Sequence, residues 1–462
     1  MTSSGRWGLL CVSLLAVWLL PYRAFAIDKL LIINGTDLTM KPGQTEPFVG
    51  YILVGNDGKI KAIGKGNPPA GTSAKTVYDA KGKFVLPGFI SAHSHLSESA
   101  FRGLATDQYV YEYPLMKGWV EALETRELGT RPEDYYWFTL EGALDHLTHG
   151  ITSVYNFAYA RDDNEAFEEY QWRAELDSGI RFVHSYEPSG KSTAQVRRAN
   201  LEKFLNFARK DTSRPTVLRM AYSGWVTTPE AMQLDASFLR DYHLYSEIHF
   251  LESPVNQEQQ RATFQYIQAA KILGPNVSFG HFIHPNDAIL KAVAAAGSGM
   301  VWNPMSNGRL ASGIADIPKY RKMGIRVGMG VDGEGSSDLP DPFENMRMGL
   351  YVIRARYESA KILQPIEVLR FHTLGSAEVL GVADKVGSLE VGKFGDILVV
   401  DPKLVERGPV LDPYATVVLA CNAMNLAKVY VGGDLMVDTY RLQKSDMSKV
   451  AREVDQRVAR LH

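Results

Sequence analysis

The stretch Leu86–Leu96, LPGFISAHSHL, decides how this chain reads. Phe84, Val85, Leu86, Phe89 and Ile90 form an apolar lead-in with the texture of a strand, and Pro87-Gly88 opens its last part. His93 and His95 are spaced i, i+2, so on a strand their imidazoles point to the same side. If the strand ends at an active-site face, the two rings can share one metal ion, since histidine is the commonest metal ligand near neutral pH. An isolated pair of this kind is a weak signal, and its meaning rests on whether further ligands follow at suitable positions.

The 462 residues carry a net charge of −2 and are 45% hydrophobic, which suits one large domain with room for a smaller one. A near-neutral balance without blocks of like charge argues against a nucleic-acid binder. Residues 1–26 read as a signal peptide: Arg6 supplies the positive region, Leu9–Leu20 the apolar run, and Ala24-Phe25-Ala26 the cleavage site. The apolar run is short for a membrane span. An exported protein, periplasmic or secreted and without stable membrane association, is expected. Of the two cysteines, Cys11 lies in this segment, leaving Cys421 alone in the mature chain. An intramolecular disulfide is then excluded, and any metal site must use histidines and carboxylates.

After the leader come short β-like runs at Leu30–Ile33, Tyr51–Val54, Ile60–Ile63 and Thr76–Tyr78, with Asn56-Asp57-Gly58 as a turn. The same texture returns at Ile397–Val400, Thr416–Ala420 and Lys428–Val431, with Gly432-Gly433 as a hairpin turn. Two β-rich flanks predict one small β-sandwich domain built from 27–86 and 381–445, followed by a C-terminal helix over 446–462. Between them, apolar runs at Phe89–His95, Ile151–Phe157, Ile180–His184, Val217–Tyr222, Glu247–Leu251, Val277–His281, Met300–Asn303 and Ile325–Val331 alternate with helical stretches such as Asp134–Thr148, Ala194–Ala208 and Pro285–Ala296. From His95 to Asp332 the seven repeats average about 34 residues, a suitable βα length. The reading is an α/β protein with a (β/α)8 TIM barrel over 87–380, whose active site lies at the C-terminal ends of the strands.

Polar residues stand where that architecture places chemistry. Strand five runs into His249 and then Glu252 in SEIHFLES, strand six ends at His281 in VSFGHFIH, and strand eight ends at Asp332 in VGMGVDG. A carboxylate after an apolar strand is costly to bury unless it is paired or binds metal. Glu252 falls on the opposite strand face from His249 if the strand stays regular, so it must lie on the turn leaving the barrel. Arg102 either binds a substrate carboxylate or phosphate or holds the first loop. Asn303 and Asn307 either bind substrate or shape the strand-seven loop. Tyr109, Tyr111, Tyr113 and Trp119 form an aromatic stretch that lines a pocket or packs an interface. His284 is the main rival of His281, and His184 reads as a hydrogen-bonded core histidine.

Several motifs in order resemble the amidohydrolase superfamily, in its cytosine deaminase, triazine hydrolase and S-adenosylhomocysteine deaminase branch. LPGFISAHSHL resembles the strand-one metal motif, AFRGLATD (Ala100–Asp107) the segment after it, HFLES the His-x-x-Glu motif, NPMSNGRLASG (Asn303–Gly313) the strand-seven loop and GVDGEGSS the strand-eight loop. The resemblance implies that His93, His95, His249 and Asp332 hold one divalent ion, zinc first, with iron or manganese compatible. Relatives with two metals bridge them with a strand-four lysine; here VLRMAYSG has none. A metal-activated hydroxide would then be the nucleophile, Asp332 its proton acceptor, His281 the orienting group and Glu252 the acid/base. The expected activity is hydrolysis of a non-peptide C–N bond in a small molecule, foremost deamination of an amino-substituted heterocycle. Hydrolysis of a linear or aryl amide, carbamate or urea, or dechlorination of a triazine-like ring, are the alternatives. A homodimer is a further implication. A non-catalytic binding protein has no use for the full residue set.

Overall fold

The computed structural model describes Met1 and residues 27–103, 107, 109, 131–158, 166–187, 192–403 and 409–461. The leader, Tyr111, Tyr113 and Trp119 lie outside the described residues. The chain begins with β1 (Asp28–Asp37), β2 (Phe48–Val54), β3 (Ile60–Lys65), β4 (Ala74–Asp79) and β5 (Phe84–Pro87). It continues with β6 (Phe89–His95), β7 (Ile151–Ala158), β8 (Arg181–Tyr186), β9 (Val217–Trp225), β10 (Tyr245–Phe250), β11 (Val277–His281), β12 (Gly299–Trp302), β13 (Arg326–Met329) and β14 (Asp332–Gly333). The last strands are β15 (Ile397–Val400), β16 (Leu426–Val431), β17 (Asp434–Asp438) and β18 (Arg441–Leu442).

Strands β6 to β13 pair in sequence order, each parallel to the next, and β14 pairs in parallel with Ser94-His95 of β6. That last pairing closes the ring, so the middle of the chain is the expected barrel. Several of the helices that alternate with the strands carry a start signal of their own. Thr193 caps Ala194–Ala208, Asn286 caps Asp287–Ala296, and Gly297, at φ +71°, ends the latter. The other nine strands form one mixed sheet running β18-β17-β16-β15-β5-β1-β2-β3, with β4 also on β1, so both chain ends contribute to it. Leu30, Ile32, Ile52, Val85, Ile397 and Val399 form its own core. The β16–β17 turn is made by Gly432 and Gly433, both at positive φ, as a tight two-residue hairpin requires. Helix Met447–Leu461 packs on helix Pro132–Thr148 through Val454 and Phe138, with Arg460 on Asp134. No helix among the described residues is long and apolar enough to cross a membrane.

Three expectations need correction. Thr416–Ala420 is not a strand: Thr416–Leu419 belongs to helix Pro413–Leu419 and Ala420 is its C-cap, because Asp412 caps Ala415 and Pro413 occupies the first turn. These local start signals outweigh the β-branched Thr-Val-Val run. Strand eight is not continuous: it breaks at Gly330-Val331 between β13 and β14. The lead-in and the histidine strand are also two strands: β5 pairs with β15 of the small sheet, whereas β6 enters the barrel. The hinge is Gly88, where a Cβ would lie 1.9 Å from Thr152 Oγ1. Gly88→Ala is therefore expected to cost about 1–3 kcal/mol by overpacking. A urea melt checks this, and an unchanged midpoint would show that the junction has slack.

Candidate metal centre

The inward face of β10 carries Tyr245, Glu247 and His249 at alternate positions. Opposite His249 in register stand Trp225 of β9 and Gly280 of β11. A Cβ at Gly280 would sit 3.1 Å from Glu247 Oε1 and 3.3 Å from the His93 ring, so Gly280 also faces inward. His281 would face outward in a regular strand. Its φ of +64° turns it into the barrel instead, and Asp332, at φ +63°, is carried in the same way. Left-handed backbone at two non-glycine residues is costly and is held only where the surroundings enforce it. Glu252 reaches the site by the same device. Leu251, at φ +57°, bends the chain off β10, and its carbonyl accepts hydrogen bonds from the Ile283 and His284 amides.

These bends gather the expected residues. Asp332 Oδ1 lies 3.3 Å from Nε2 of both His93 and His95, and Oδ2 lies 3.8 Å from His281 Nε2. His93, His249 and His281 form one potential ligand triad, and His93, His95 and Asp332 another. The second nitrogen of His95 is engaged, with Nδ1 3.0 Å from the Phe157 carbonyl; that of His93 contacts the Glu247 carboxylate. Such outer contacts fix the tautomer and leave Nε2 of each ring facing the cluster. His93 Nε2 and His249 Nδ1 are buried polar atoms with no hydrogen-bond partner, which a protein interior rarely tolerates. A nitrogen-and-carboxylate donor set with orphaned nitrogens fits a divalent metal of the zinc, iron or manganese type.

The electrostatics follow from burial and proximity. Burial works against the Asp332 carboxylate, but His281, His93 and His95 outweigh it and hold its pKa well below the usual range. Burial lowers His249 far below its ordinary value and His281 to about 3, so both rings are neutral, as ligands or hydrogen-bonding groups must be. Glu252 is pushed up to about 8 by burial and then by Asp332, against a hydrogen bond of 3.2 Å from Ser312. Burial thus favours its protonated form, the state a general acid needs. The sign for stability follows. A carboxyl whose folded pKa is raised from 4.5 towards 8 stabilises the metal-free fold most at low pH, and the contribution is lost as pH rises through that window. Metal-free Glu252→Gln should therefore melt above wild type at pH 8 and lose that advantage at pH 4. Equal melting temperatures at both pH values would contradict the shift.

His281 is fixed by Asn307, whose Nδ2 lies 2.7 Å from His281 Nδ1, and it stands 3.4 Å from Glu252 Oε1. Asn303 lies 3.4 Å from the same ring, and the Oδ1 atoms of Asn303 and Asn307 are buried without partners. Both asparagines thus belong to the cluster. Arg102 does not join it: its guanidinium bonds Asp145 at 2.9 Å and contacts the buried Glu334 carboxylate, so the loop-holding alternative is the one seen. His284 binds the Ser312 carbonyl at 2.7 Å, outside the cluster. His184 is a core residue between Glu175 and Glu168, at 2.8 and 3.0 Å. Tyr109 is 46% exposed.

Three residues escaped the sequence reading. Glu247 had a signal: it sits two positions before His249 and so shares its face. Trp225 closes the β9 run and stacks on His249, with centroids 4.6 Å apart and planes 8° apart. Ser312, which donates to Glu252, carried no pattern that marks it.

The amidohydrolase family profile matches residues 84–436. The chain is 25% identical to a 5-methylthioadenosine/S-adenosylhomocysteine deaminase of Desulforamulus reducens, over 94% of this chain and 99% of that one. Among solved structures it resembles a zinc-bound adenosine deaminase from Xanthomonas campestris, with a TM-score of 0.83, 20% identity and coverage of 94% and 98%. It likewise resembles a triazine hydrolase variant, with a TM-score of 0.82, 23% identity and coverage of 93% and 99%. With a family match over most of its length, a closed barrel and a histidine–carboxylate centre at the strand ends, the chain belongs to the amidohydrolase family and is a hydrolase of carbon–nitrogen bonds.

Proposed function

We propose that this protein is an exported hydrolase that removes an amino group from a heterocycle. The observation that carries the reading is the placement of Glu252, 3.4 Å from His281 and hydrogen-bonded by Ser312, next to a cluster in which Asp332 lies 3.3–3.8 Å from His93, His95 and His281. The deaminase names of its relatives support it. Export rests on the leader pattern alone. His93, His95, His249 and Asp332 would hold the metal, which supplies Lewis acidity that lowers the pKa of water towards neutrality.

The side chains supply the proton path. As water oxygen bonds to the ring carbon, its proton passes to the Asp332 carboxylate. Glu252 gives its proton to the adjacent ring nitrogen. The exocyclic C–N bond then breaks as the amine takes the proton from Asp332 and leaves as ammonia. The hydroxyl proton returns to Glu252 as the ring carbonyl forms. Asn307 donating to Nδ1 places the His281 ring proton on Nε2, the nitrogen facing Asp332, where it orients the attacking oxygen.

A hydrolysis screen over aminoheterocycles, aryl amides, carbamates, ureas and chlorotriazines tests this. Ammonia release from an aminoheterocycle is expected. Release of only larger amines or of chloride would replace deamination with one of the alternative reactions.

A further inference from the structure

A band of hydroxyls crosses the barrel interior beneath the metal centre. Barrels of this kind usually fill that space with Val, Ile and Leu. Here Tyr155, Ser185, Ser223, Tyr245 and Ser278 share it with Glu247, and all six are fully buried. Hydroxyls taken out of water are costly unless each finds a partner, and these form two groups. In one, Tyr155 Oη lies 3.0 Å from Ser223 Oγ, which contacts Ser185. In the other, Tyr245 Oη lies 2.5 Å from Ser278 Oγ, and Ser278 donates to Glu247 Oε2 at 3.2 Å. The second group meets the centre, because Glu247 Oε1 contacts His93 Nδ1. The first makes no hydrogen bond to Glu247 among the described residues.

Donor counting fixes the direction of the second chain. A histidine that offers Nε2 to a metal carries its proton on Nδ1, so Glu247 Oε1 accepts there. Oε2 accepts from Ser278, whose single proton is then spent, and Ser278 accepts in turn from Tyr245. Neighbouring strands impose the geometry. Tyr245 and Glu247 share the inward face of β10, and Ser278 of β11 is the register partner of Glu247. Two residues on, Gly280 leaves the carboxylate room against the His93 ring, where a Cβ would lie 3.1 Å from Oε1 and 3.3 Å from the ring. The last torsion of a glutamate is broad and does little by itself to fix the carboxylate plane. Ser278 holds the second oxygen, and with it the plane.

We infer that Tyr245 and Ser278 are positioning residues for the metal centre, acting through Glu247 to hold the His93 ring in the tautomer and orientation that receive the ion. The inference rests on the metal centre proposed above and goes beyond it to the residues that prepare one of its ligands.

The test titrates zinc alone into the metal-free full chain against a chelator of known affinity, with thermal melts showing that each variant is folded. Ser278→Ala and Tyr245→Phe are each expected to weaken zinc binding about three- to tenfold, the equivalent of one ordinary hydrogen bond. Ser185→Ala removes an equally buried hydroxyl from the other group and should leave zinc affinity close to wild type. In a Glu247→Ala background, Ser278→Ala should add less than about a twofold loss, because residues that act through one partner are not additive. If the Glu247→Ala chain does not fold, the contrast between Ser278 and Ser185 decides alone. Unchanged affinity in Ser278→Ala or Tyr245→Phe, an equal loss in Ser185→Ala, or full additivity with Glu247→Ala would overturn the inference. A wild-type chain that binds no zinc would remove the metal centre itself, and the inference with it. Ammonia release plays no part in this readout, so failure of the deamination reading is seen separately.

Discussion

Glu252→Gln is expected to keep its metal and lose turnover by about 10²–10⁴-fold, the usual contribution of a positioned acid/base group. The substitution preserves shape and can still accept from Ser312, so the loop need not move. It removes the one proton that the ring nitrogen and then the product hydroxyl exchange with the protein. The loss should fall on kcat with little change in KM, since the interaction matters only as charge develops. Metal analysis beside steady-state kinetics separates the cases. A variant with full metal and normal kcat would remove Glu252 from the mechanism, whereas loss of metal would make it a structural support of the centre.

Asp332→Asn should lose both metal and activity. The Asp332 oxygens stand between His93, His95 and His281 at 3.3–3.8 Å, and Ser306 donates to Oδ2 at 2.5 Å. An amide at this position offers no anionic ligand and no proton acceptor. A bound metal is worth several kcal/mol of transition-state stabilisation, so the expected fall is about 10³-fold or more. Glu247→Gln should act more mildly, weakening metal affinity by about 10–100-fold through the freed His93 ring. Competition with a chelator measures both. Tight metal retention by Asp332→Asn would contradict its place among the ligands.

The barrel was legible because its strands obey simple rules. Phe89–His95 and Val277–His281 end where the apolar runs end, and the histidines fall at those ends. Misread features had local causes. Thr416–Ala420 carries β-branched residues, but Asp412-Pro413 starts a helix there. Gly88 cuts one apparent strand into two, because the space beside Thr152 admits no side chain. Gly330 does the same in strand eight, where a Cβ would lie 2.6 Å from the His93 carbonyl oxygen. The site was legible as a set of residues but not as a geometry. His281, Asp332 and Glu252 reach the centre only through left-handed backbone at His281, Asp332 and Leu251; Asp and His are enriched in that region but adopt it too seldom for the sequence to mark the turn, and Leu251 gives no signal at all. Arg102 shows the opposite limit. Its sequence suits an anion, and the anions that claim it are the protein's own, from Asp145 and Glu334, far along the chain. Glu247 was within reach of the period-two rule, since it precedes His249 by two on one face.

One centre and one metal make the account, so the decisive measurement pairs metal content with ammonia release before and after chelation. The expected result is about one divalent ion per chain, ammonia release abolished when the ion is removed, and recovery when zinc, iron or manganese is returned. Chelated protein shown free of metal that still releases ammonia at the original rate would contradict the account.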